Sequence, residues 1–426
     1  MSSASDYTRR GFLGQSACQA AGLAAGSMGL ELAAASSAAE PLRVGLIGLG
    51  QQGQELAGLF ASRRDVRVTA LCDLDIRHAA LVQHTLSDLT GNGPPIIPDA
   101  ESLLDRDDVD AVVIATPGHW SAPLALTACQ AGKDVYLEQP VGLSLRQGIE
   151  LEQIARTTGC IMQTGLPQRS GAHFQAAMAA VQSGKIGTVQ LARAWSVHRR
   201  RSIGRSAVSA APQGIDYRNW LGPAPQRAFQ ANRFHQHWPW FWDYGAGELG
   251  LWGVQLLDVC RWGLELDLPR RVMATGHVTH FRDDRETPET LTVQFECDDL
   301  TVLWEHRQWS SRGVEGRPTG CAFYGTEGTL IVDRGGWKIY DGKHSLQGDA
   351  ADIRHAHVAD FVAAVRGQRV PAASIEIGQR SMAWAHLGNL AWRTGNVLKC
   401  ESPGDRLAVY QELESKLLQD RTTEVT

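Results

Sequence analysis

Short apolar runs alternate with helix-like patterns between residues 42 and 165. The runs LRVGLI, VRVTALC, AVVI, DVYL and CIMQTG each predict a strand. Helices are predicted between them, for example at APLALTACQAG and SLRQGIELEQIARTTG. Alternation of strands and helices at this spacing is typical of a parallel, doubly wound sheet. We therefore predict an α/β Rossmann domain over residues 40–164.

The pattern changes after residue 165. A predicted helix, HFQAAMAAVQSG, and a strand, TVQLARAWSV, lead into a long loop rich in proline and tryptophan. Another helix, WGVQLLDVCRWGL, precedes alternating segments such as TLTVQFE and TLIVDRGGWKIY. Alternation of this kind predicts strands with one buried face. We expect an α+β domain over residues 165–355, built on a large, mainly antiparallel open sheet. The amphipathic helices of residues 356–426 should pack back on the Rossmann domain.

The first 39 residues have a different character. Arg9 and Arg10 stand just before Phe12 and Leu13, and a weakly hydrophobic stretch that ends in small residues follows. This order predicts a twin-arginine export signal cleaved near residue 39, and hence a periplasmic or extracytoplasmic protein. A disordered Ala/Ser leader is the alternative. Glu31 disfavours a transmembrane helix, so we expect no stable membrane insertion after signal cleavage.

Composition excludes some partners. The 426 residues are 43% hydrophobic with a formal charge of −5, which suits two globular domains. This slight acidity, with no basic run beyond RRRSIGR, argues against nucleic acid as a partner. The eight cysteines are spread singly. The H-x-H of His355 and His357 lacks an evident third ligand, so no metal site is predicted.

The first predicted strand runs into a glycine motif. Gly48, Gly50 and Gly53 form a G-x-G-x-x-G with a strand before it and a helix after it, the context that dinucleotide binding requires. Asp73 ends the second strand, twenty residues after Gly53. A carboxylate there accepts from a ribose hydroxyl and repels a 2′-phosphate, which favours NAD over NADP. A Rossmann-like domain that binds no nucleotide is the alternative.

Ligands of such sheets lie beyond the carboxyl ends of the strands. Thr116 and Pro117 follow the third strand, and Glu138 and Gln139 follow the fourth. The predicted cofactor-binding residues are therefore Gly48, Gly50, Gln52, Gly53, Asp73, Thr116, Pro117, His119 and Glu138.

Several stretches together resemble the Gfo/Idh/MocA oxidoreductases. They are GLIGLGQQG, TPGHWSAPLALTACQAGKDVYLEQP, NRFHQHWPWFWDYGAGELG, LLDVCRWGL and RSMAWAHLGNLAWRTG, and they extend over residues 41–400. Glucose-fructose oxidoreductase and inositol dehydrogenase belong to this family. The resemblance implies NAD(P), a sugar-like substrate and a homo-oligomer, dimer or tetramer, built on the open sheet.

The chain departs from the family at its proton-relay positions. Gln139 stands where the family has the lysine of E-K-P, and Gln255 stands where it has a histidine. Leu251 replaces an aspartate or asparagine, and Ser121 occupies a position where histidine is common. An amide donates and accepts hydrogen bonds but does not titrate near neutral pH. Gln139 and Gln255 can therefore orient a substrate without relaying its proton.

Proton transfer would then fall to the tryptophan-rich loop. The candidate catalytic residues there are His237, Tyr244 and Glu248, alongside Gln139 and Gln255. Trp240 and Trp242 are candidate platforms for a sugar, because the C–H faces of sugars stack on aromatic rings. Asp258 joins them as a candidate substrate residue, with a purely structural role as its alternative. A packed or solvated role is the alternative for each loop histidine.

Two functions follow from this site. One is an NAD-dependent oxidoreductase on a sugar or sugar derivative, or a glycosidase that uses NAD transiently. The other is a catalytically silent protein that binds nucleotide and carbohydrate.

Overall fold

The computed structural model describes residues 40–341, 346–400 and 406–423. The predicted export signal lies outside the described residues. The first part of the chain forms a five-stranded parallel sheet in the order β2-β1-β3-β4-β5. Its strands are β1 Leu42–Ile47, β2 Val66–Cys72, β3 Ala111–Ile114, β4 Asp134–Leu137 and β5 Met162–Thr164. Its helices are α1 Gln51–Ala61, α2 Ile76–Thr90, α3 Ala100–Leu104, α4 Gly118–Gln130 and α5 Leu145–Thr158.

Local sequence explains these elements. All four residues of β3 are buried, as expected for a strand covered on both faces. Helix α5 begins where the Ser144 side chain accepts a hydrogen bond from the Gln147 amide, and it ends at Gly159 in the left-handed region. The predicted doubly wound Rossmann domain is confirmed.

The second part forms a nine-stranded sheet in the order β13-β12-β11-β10-β6-β9-β8-β7-β14. All its strand pairs are antiparallel except β6 with β9, so the predicted mainly antiparallel sheet is confirmed. Its strands are β6 Val189–Val197, β7 Arg271–His277, β8 Thr290–Glu296, β9 Thr301–Arg307, β10 Thr319–Gly325, β11 Thr329–Asp333, β12 Gly336–Tyr340, β13 Gln347–Asp349 and β14 Leu398–Lys399. Its helices are α6 Ala172–Gln182, α7 Tyr217–Leu221 and α8 Val254–Leu264.

Three helices complete the described chain: α9 Ile353–Val365, α10 Ile375–Thr394 and α11 Arg406–Thr423. Helix α9 packs on the first domain, where the Phe361 ring lies 6.0 Å from Phe60. Helix α10 packs on the second sheet, where the Trp384 ring lies 4.8 Å from Phe295. The C-terminal helices thus join the cores of both sheets.

Residues 199–247, here called the covering loop, cross the carboxyl edge of the first sheet. Their rings form a separate aromatic cluster, in which Trp220 lies 4.9 Å from both Phe234 and Tyr244. An antiparallel bridge between Asp75 and Ile215 ties the covering loop to the segment after β2. The loop therefore closes a cavity over the strand ends.

None of the described helices combines the length and the apolar character needed to cross a bilayer.

Candidate functional site

A cavity of about 1400 Å³ lies between the strand ends of the first sheet and the covering loop. Six of the predicted cofactor-binding residues line one end of it: Gly48, Gly50, Gln52, Asp73, Thr116 and Pro117. The cavity is also lined by a second group of candidate residues: Glu138, Gln139, His237, Trp240 and Gln255. The first group is called the cofactor end, and the second is called the substrate end.

The glycine loop fits a dinucleotide. Gly48 has φ +86°, and a Cβ there would lie 2.8 Å from the Ala115 carbonyl and from the Thr116 side chain. A Cβ added at Gly50 would meet no other atom within 4 Å, so the Gly50 backbone is open to a ligand. Helix α1 begins at Gln51 without a side-chain cap, which leaves its first N–H groups free for phosphates.

Asp73 connects the glycine loop to the end of β2. Its carboxylate accepts from the Leu49 amide at 2.6 Å and from the Asp75 amide at 2.7 Å. It also lines the cavity, where a ribose of a bound dinucleotide would meet it. The residues at the cofactor end therefore suit NAD.

Glu138 belongs to the substrate end and contacts Gln52 of the cofactor end. Its carboxylate accepts from Gln52 Nε2 at 3.2 Å, from the Gln139 amide at 3.1 Å and from the Tyr136 hydroxyl at 3.4 Å. Burial raises the pKa of Glu138 to about 7, although these hydrogen bonds oppose the shift. A carboxyl group with this pKa can exchange a proton at neutral pH.

The two glutamines at the relay positions differ in their surroundings. Gln139 is 8% exposed, and its Oε1 and Nε2 have no partner in the protein. Gln255 Oε1 accepts from Gln168 Nε2 at 3.0 Å and from Arg334 Nη2 at 2.8 Å. The side-chain amide of Gln139 is therefore buried without a partner, whereas Gln255 is held in place by its neighbours.

Sequence reasoning missed Arg334. It lies in the turn between β11 and β12, and it reaches the substrate end of the cavity from the second domain. Its guanidinium lies over the Trp252 ring at 4.6 Å, and burial lowers its pKa. In the sequence, Arg334 is a single arginine in the turn D-R-G-G. This pattern indicates a hairpin but predicts neither a catalytic nor a ligand-binding role.

His237 and Trp240 both line the cavity, as predicted. Burial lowers the pKa of His237, and the nearby Arg285 charge lowers it further, so its imidazole is neutral at pH 7. Trp240 is 5% exposed, and the Arg200 guanidinium covers its ring at 5.0 Å. Only part of the Trp240 ring is therefore open to a sugar.

Other predicted catalytic residues lie outside the cavity lining. Tyr244 is fully buried in the aromatic cluster, 5.1 Å from the His119 ring. Glu248 is 1% exposed, and it accepts from Ser196 Oγ at 2.6 Å and from Arg200 Nε at 2.9 Å. The structure thus surrounds Glu248 with donors, as expected for a carboxylate that holds the fold.

The Glu248 ion pair predicts a stability effect. Arg200→Met should lower the free energy of unfolding by about 3 kcal/mol, because it leaves a buried carboxylate without its charge partner. Arg199→Met removes the exposed neighbouring arginine and should change stability by less than about 0.5 kcal/mol. Urea unfolding of both variants measures the difference, and equal midpoints would contradict this role.

The remaining predicted residues also lie outside the lining. Asp258 is fully buried and receives two hydrogen bonds from Arg169, at 2.8 and 3.0 Å, and one from Ser381. Trp242 faces α10, where its ring lies 6.1 Å from Trp392. His119 Nε2 contacts the Trp220 carbonyl oxygen at 2.8 Å, and burial lowers the pKa of His119 to about 4. These contacts hold the covering loop and the second domain in place.

Gly53 serves the cofactor end without lining it. A Cβ there would overlap the Gly48 carbonyl oxygen, so only glycine lets α1 approach β1 this closely. This is the packing role predicted for the third glycine of the motif.

Asp75, His78 and His235 form a group of possible metal ligands at the cofactor end. Their ligand atoms lie within 4.8 Å of one another. Both oxygens of Asp75 already accept from Arg77, at 2.8 and 2.6 Å, and one of them also contacts His235 Nε2 at 3.0 Å. The group therefore serves as a polar contact between the covering loop and the first domain.

Family models match both parts of the chain. Residues 42–166 match the oxidoreductase family with an NAD-binding Rossmann fold, GFO_IDH_MocA. Residues 194–424 match the C-terminal alpha/beta domain of the same family. The expectation of an NAD-binding Rossmann domain is confirmed.

Relatives with established names share only part of their length with this chain. A "Glycosyl hydrolase family 109 protein" of Saccharopolyspora erythraea is 33% identical over 174 residues, which cover 36% of this chain and 37% of that protein. A "Glycosyl hydrolase family 109 protein 2" of Shewanella sp. strain ANA-3 is 34% identical over 129 residues, or 29% of this chain and 28% of that protein. The match therefore spans well under half of either relative.

Solved structures share the fold along most of the chain. The WlbA dehydrogenase from Bordetella pertussis, in complex with NADH and UDP-GlcNAcA, has a TM-score of 0.65 at 16% identity, over 85% of this chain and 100% of that chain. GenD2 from gentamicin A biosynthesis, in complex with NAD, has a TM-score of 0.64 at 18% identity, over 85% of this chain and 97% of that chain.

Proposed function

This chain belongs to the NAD-binding Gfo/Idh/MocA oxidoreductase family, and we propose that it is an NAD-dependent oxidoreductase. Its substrate is a sugar or sugar derivative, and a residue other than the family's lysine accepts the substrate proton. The observation that carries the proposal is one cavity with an intact glycine loop at one end and Glu138 beside an unpartnered Gln139 at the other. When bound, NAD supplies hydride acceptance. The residues of the chain have to bind and orient the substrate and accept the proton of its hydroxyl group.

Glu138 is the proposed proton acceptor. Oxidation of a secondary alcohol removes a hydride from carbon and a proton from oxygen, and a C=O bond forms. The ionised Glu138 carboxylate takes that proton and becomes a neutral carboxylic acid. Its pKa of about 7 matches the requirement that a general base be largely ionised yet still basic near neutral pH.

Gln139 is the proposed positioning residue. Its buried amide has two N–H donors and a carbonyl acceptor, and the protein itself satisfies none of the three. A sugar hydroxyl can donate to Oε1 while a second accepts from Nε2. Buried polar groups are costly without partners, so binding a polyol there gains free energy.

His237 is a second candidate for the proton, because its neutral imidazole also lines the substrate end. If it only packs beside the substrate, His237→Asn should lower kcat less than about tenfold. A loss of 10²-fold or more, the usual contribution of a general base, would transfer the role from Glu138 to His237.

The pH dependence follows from Glu138. Its pKa of about 7 means that the ionised, active form disappears as the pH falls through 7. We expect kcat/KM to be level above about pH 8 and to fall about tenfold per unit below pH 6. Initial rates at constant ionic strength between pH 5 and 9 measure the profile. A profile that is flat over pH 6–8 would contradict Glu138 as the base.

A catalytically silent binding protein is the second candidate function. It is favoured by the loss of titratable groups at positions 139 and 255, and by the pairing of Glu248 with Arg200. A glycosidase that oxidises its substrate transiently is a further alternative, which the names of the two relatives support. In that case NAD would be regenerated in each turnover.

One experiment separates these functions. The protein is mixed with NAD and a panel of free sugars and p-nitrophenyl glycosides, while the reduced-nicotinamide band and the released nitrophenol are recorded together. An oxidoreductase accumulates NADH with a free sugar. The glycosidase releases nitrophenol, requires NAD and accumulates no NADH. No change in either signal over the whole panel supports the silent protein.

We also propose export by the twin-arginine route and homo-oligomer formation. Arg9 and Arg10 support the first, and the family resemblance supports the second. Fractionation of an Arg9→Lys/Arg10→Lys variant and light scattering of the purified protein test them.

A further inference from the structure

The turn that carries Arg334 is held rigidly. Asp333 accepts from the Gly335 amide at 2.8 Å and pairs with Arg317 at 2.8 Å. Gly336 has φ +124°, and a Cβ there would overlap the Gly348 carbonyl oxygen. The backbone at Arg334 is therefore fixed in position, and the side chain extends from it to the substrate end.

Arg334 lacks an anionic partner. Its hydrogen bond goes to the neutral amide of Gln255, and its Nε is buried without any partner. No carboxylate of the described residues lies within ion-pairing distance of it, although Glu138 acts on it electrostatically. A partly buried cation without a paired anion is costly, and a ligand carboxylate would relieve that cost.

The charges of the substrate end favour a monoanion. Arg200 is neutralised by Glu248, which leaves Arg334 as the cation without an ion pair among the described residues there. Ionised Glu138 offsets the charge of Arg334, so an anion binds best while Glu138 is protonated. A phosphate group carries about −1.5 to −2 charges at neutral pH, which exceeds the single positive charge of Arg334 even then. A carboxylate carries one charge, and its two oxygens match the planar fork of arginine.

We propose that the substrate end takes a sugar acid, with its carboxylate held by the Arg334 guanidinium and a hydroxyl held by the Gln139 amide. Trp252 lies against one face of the guanidinium, and Nη2 donates to Gln255 Oε1, so a ligand carboxylate would contact Nη1. The inference rests on the proposed function for the identity of the site. It deepens that function by naming a substrate class.

Calorimetric binding tests this without requiring turnover. The NAD-saturated protein is titrated with glucuronate, galacturonate and gluconate, with glucose and galactose, and with glucose 6-phosphate. We expect at least one acid to bind tenfold or more tightly than the neutral sugars, and the phosphate to bind more weakly than that acid. Arg334→Met should weaken the acid by about 10- to 100-fold and leave neutral sugars and NAD unchanged.

Two further variants sharpen the result. Arg334→Lys keeps the positive charge but loses the planar guanidinium with its several N–H donors, so the acid should bind with intermediate affinity. Lys338→Met removes a cation from the same hairpin, outside the cavity lining, and should change nothing. The inference is overturned if no acid binds, if acids and neutral sugars bind equally, if the phosphate binds best, or if Arg334→Met matches the native protein.

Failure of the proposed function gives a different result. If acids bind through Arg334 but do not reduce NAD, the carboxylate site is supported and the oxidoreductase function is refuted. If neutral sugars reduce NAD and no acid binds, the sugar-acid inference is overturned and the oxidoreductase function is supported.

Discussion

Glu138→Gln should lower kcat by about 10²–10⁴-fold while NAD affinity stays within a few-fold of native. The amide keeps the size of the side chain, and its one oxygen can still accept from either Gln52 or the Gln139 amide, which contact different oxygens of the native carboxylate. It cannot take a proton, so the alcohol would have to release its proton to water. Steady-state kinetics and fluorescence titration with NADH measure the two quantities.

Tyr136→Phe is the matched control. It removes a hydroxyl that lies 3.4 Å from the Glu138 carboxylate and leaves the carboxylate itself in place. We expect a change in kcat below about tenfold, because the ordinary hydrogen bond is worth about 1 kcal/mol. If Glu138→Gln reduced kcat no more than Tyr136→Phe does, Glu138 would not be the base.

Gly53→Ala should weaken NAD binding by more than about 100-fold, because the added Cβ overlaps the Gly48 carbonyl oxygen. To relieve the overlap, α1 has to move away from β1, and the N–H groups at its start then leave the pyrophosphate position. Titration of the protein with NADH measures the affinity.

Gly58→Ala provides the control within the same helix. A Cβ at Gly58 meets nothing within 4 Å, so NAD affinity should not change. Alanine should also stabilise the helix by about 0.5–1 kcal/mol. Equal NADH affinities for the two variants would show that the close approach at Gly53 is not needed for the cofactor.

The cofactor end was predictable because its signals are local. Gly48, Gly50 and Gly53 lie within six residues, and Asp73 ends the next strand. The alternation of apolar runs and helix patterns indicates which end of the strands they share. For the same reason, the strand pattern alone predicted that Thr116, Pro117 and Glu138 lie on the cofactor side of the sheet.

The substrate end was harder to predict because its contacts join distant parts of the chain. Glu248 resembles a base in the sequence, but its pairing with Arg200, 48 residues earlier, holds it in the interior. Asp258 likewise pairs with Arg169, 89 residues earlier. Arg334 reaches Gln255 across 79 residues from a turn whose own sequence indicates only a hairpin. Side-chain pairing of this kind has no periodicity, so no local pattern reveals it.

The proposal that Glu138 accepts the substrate proton in place of the family's lysine is tested most directly by single-turnover reduction of bound NAD. Native protein and the Gln139→Lys/Gln255→His variant, which restores both family residues, are mixed with equimolar NAD and the sugar panel, and the reduced-nicotinamide band is followed. We predict that the native protein reduces NAD with at least one sugar, at a rate that rises with pH through about 7. Reduction by the restored variant alone, with the native protein inactive on every sugar, would contradict the proposal.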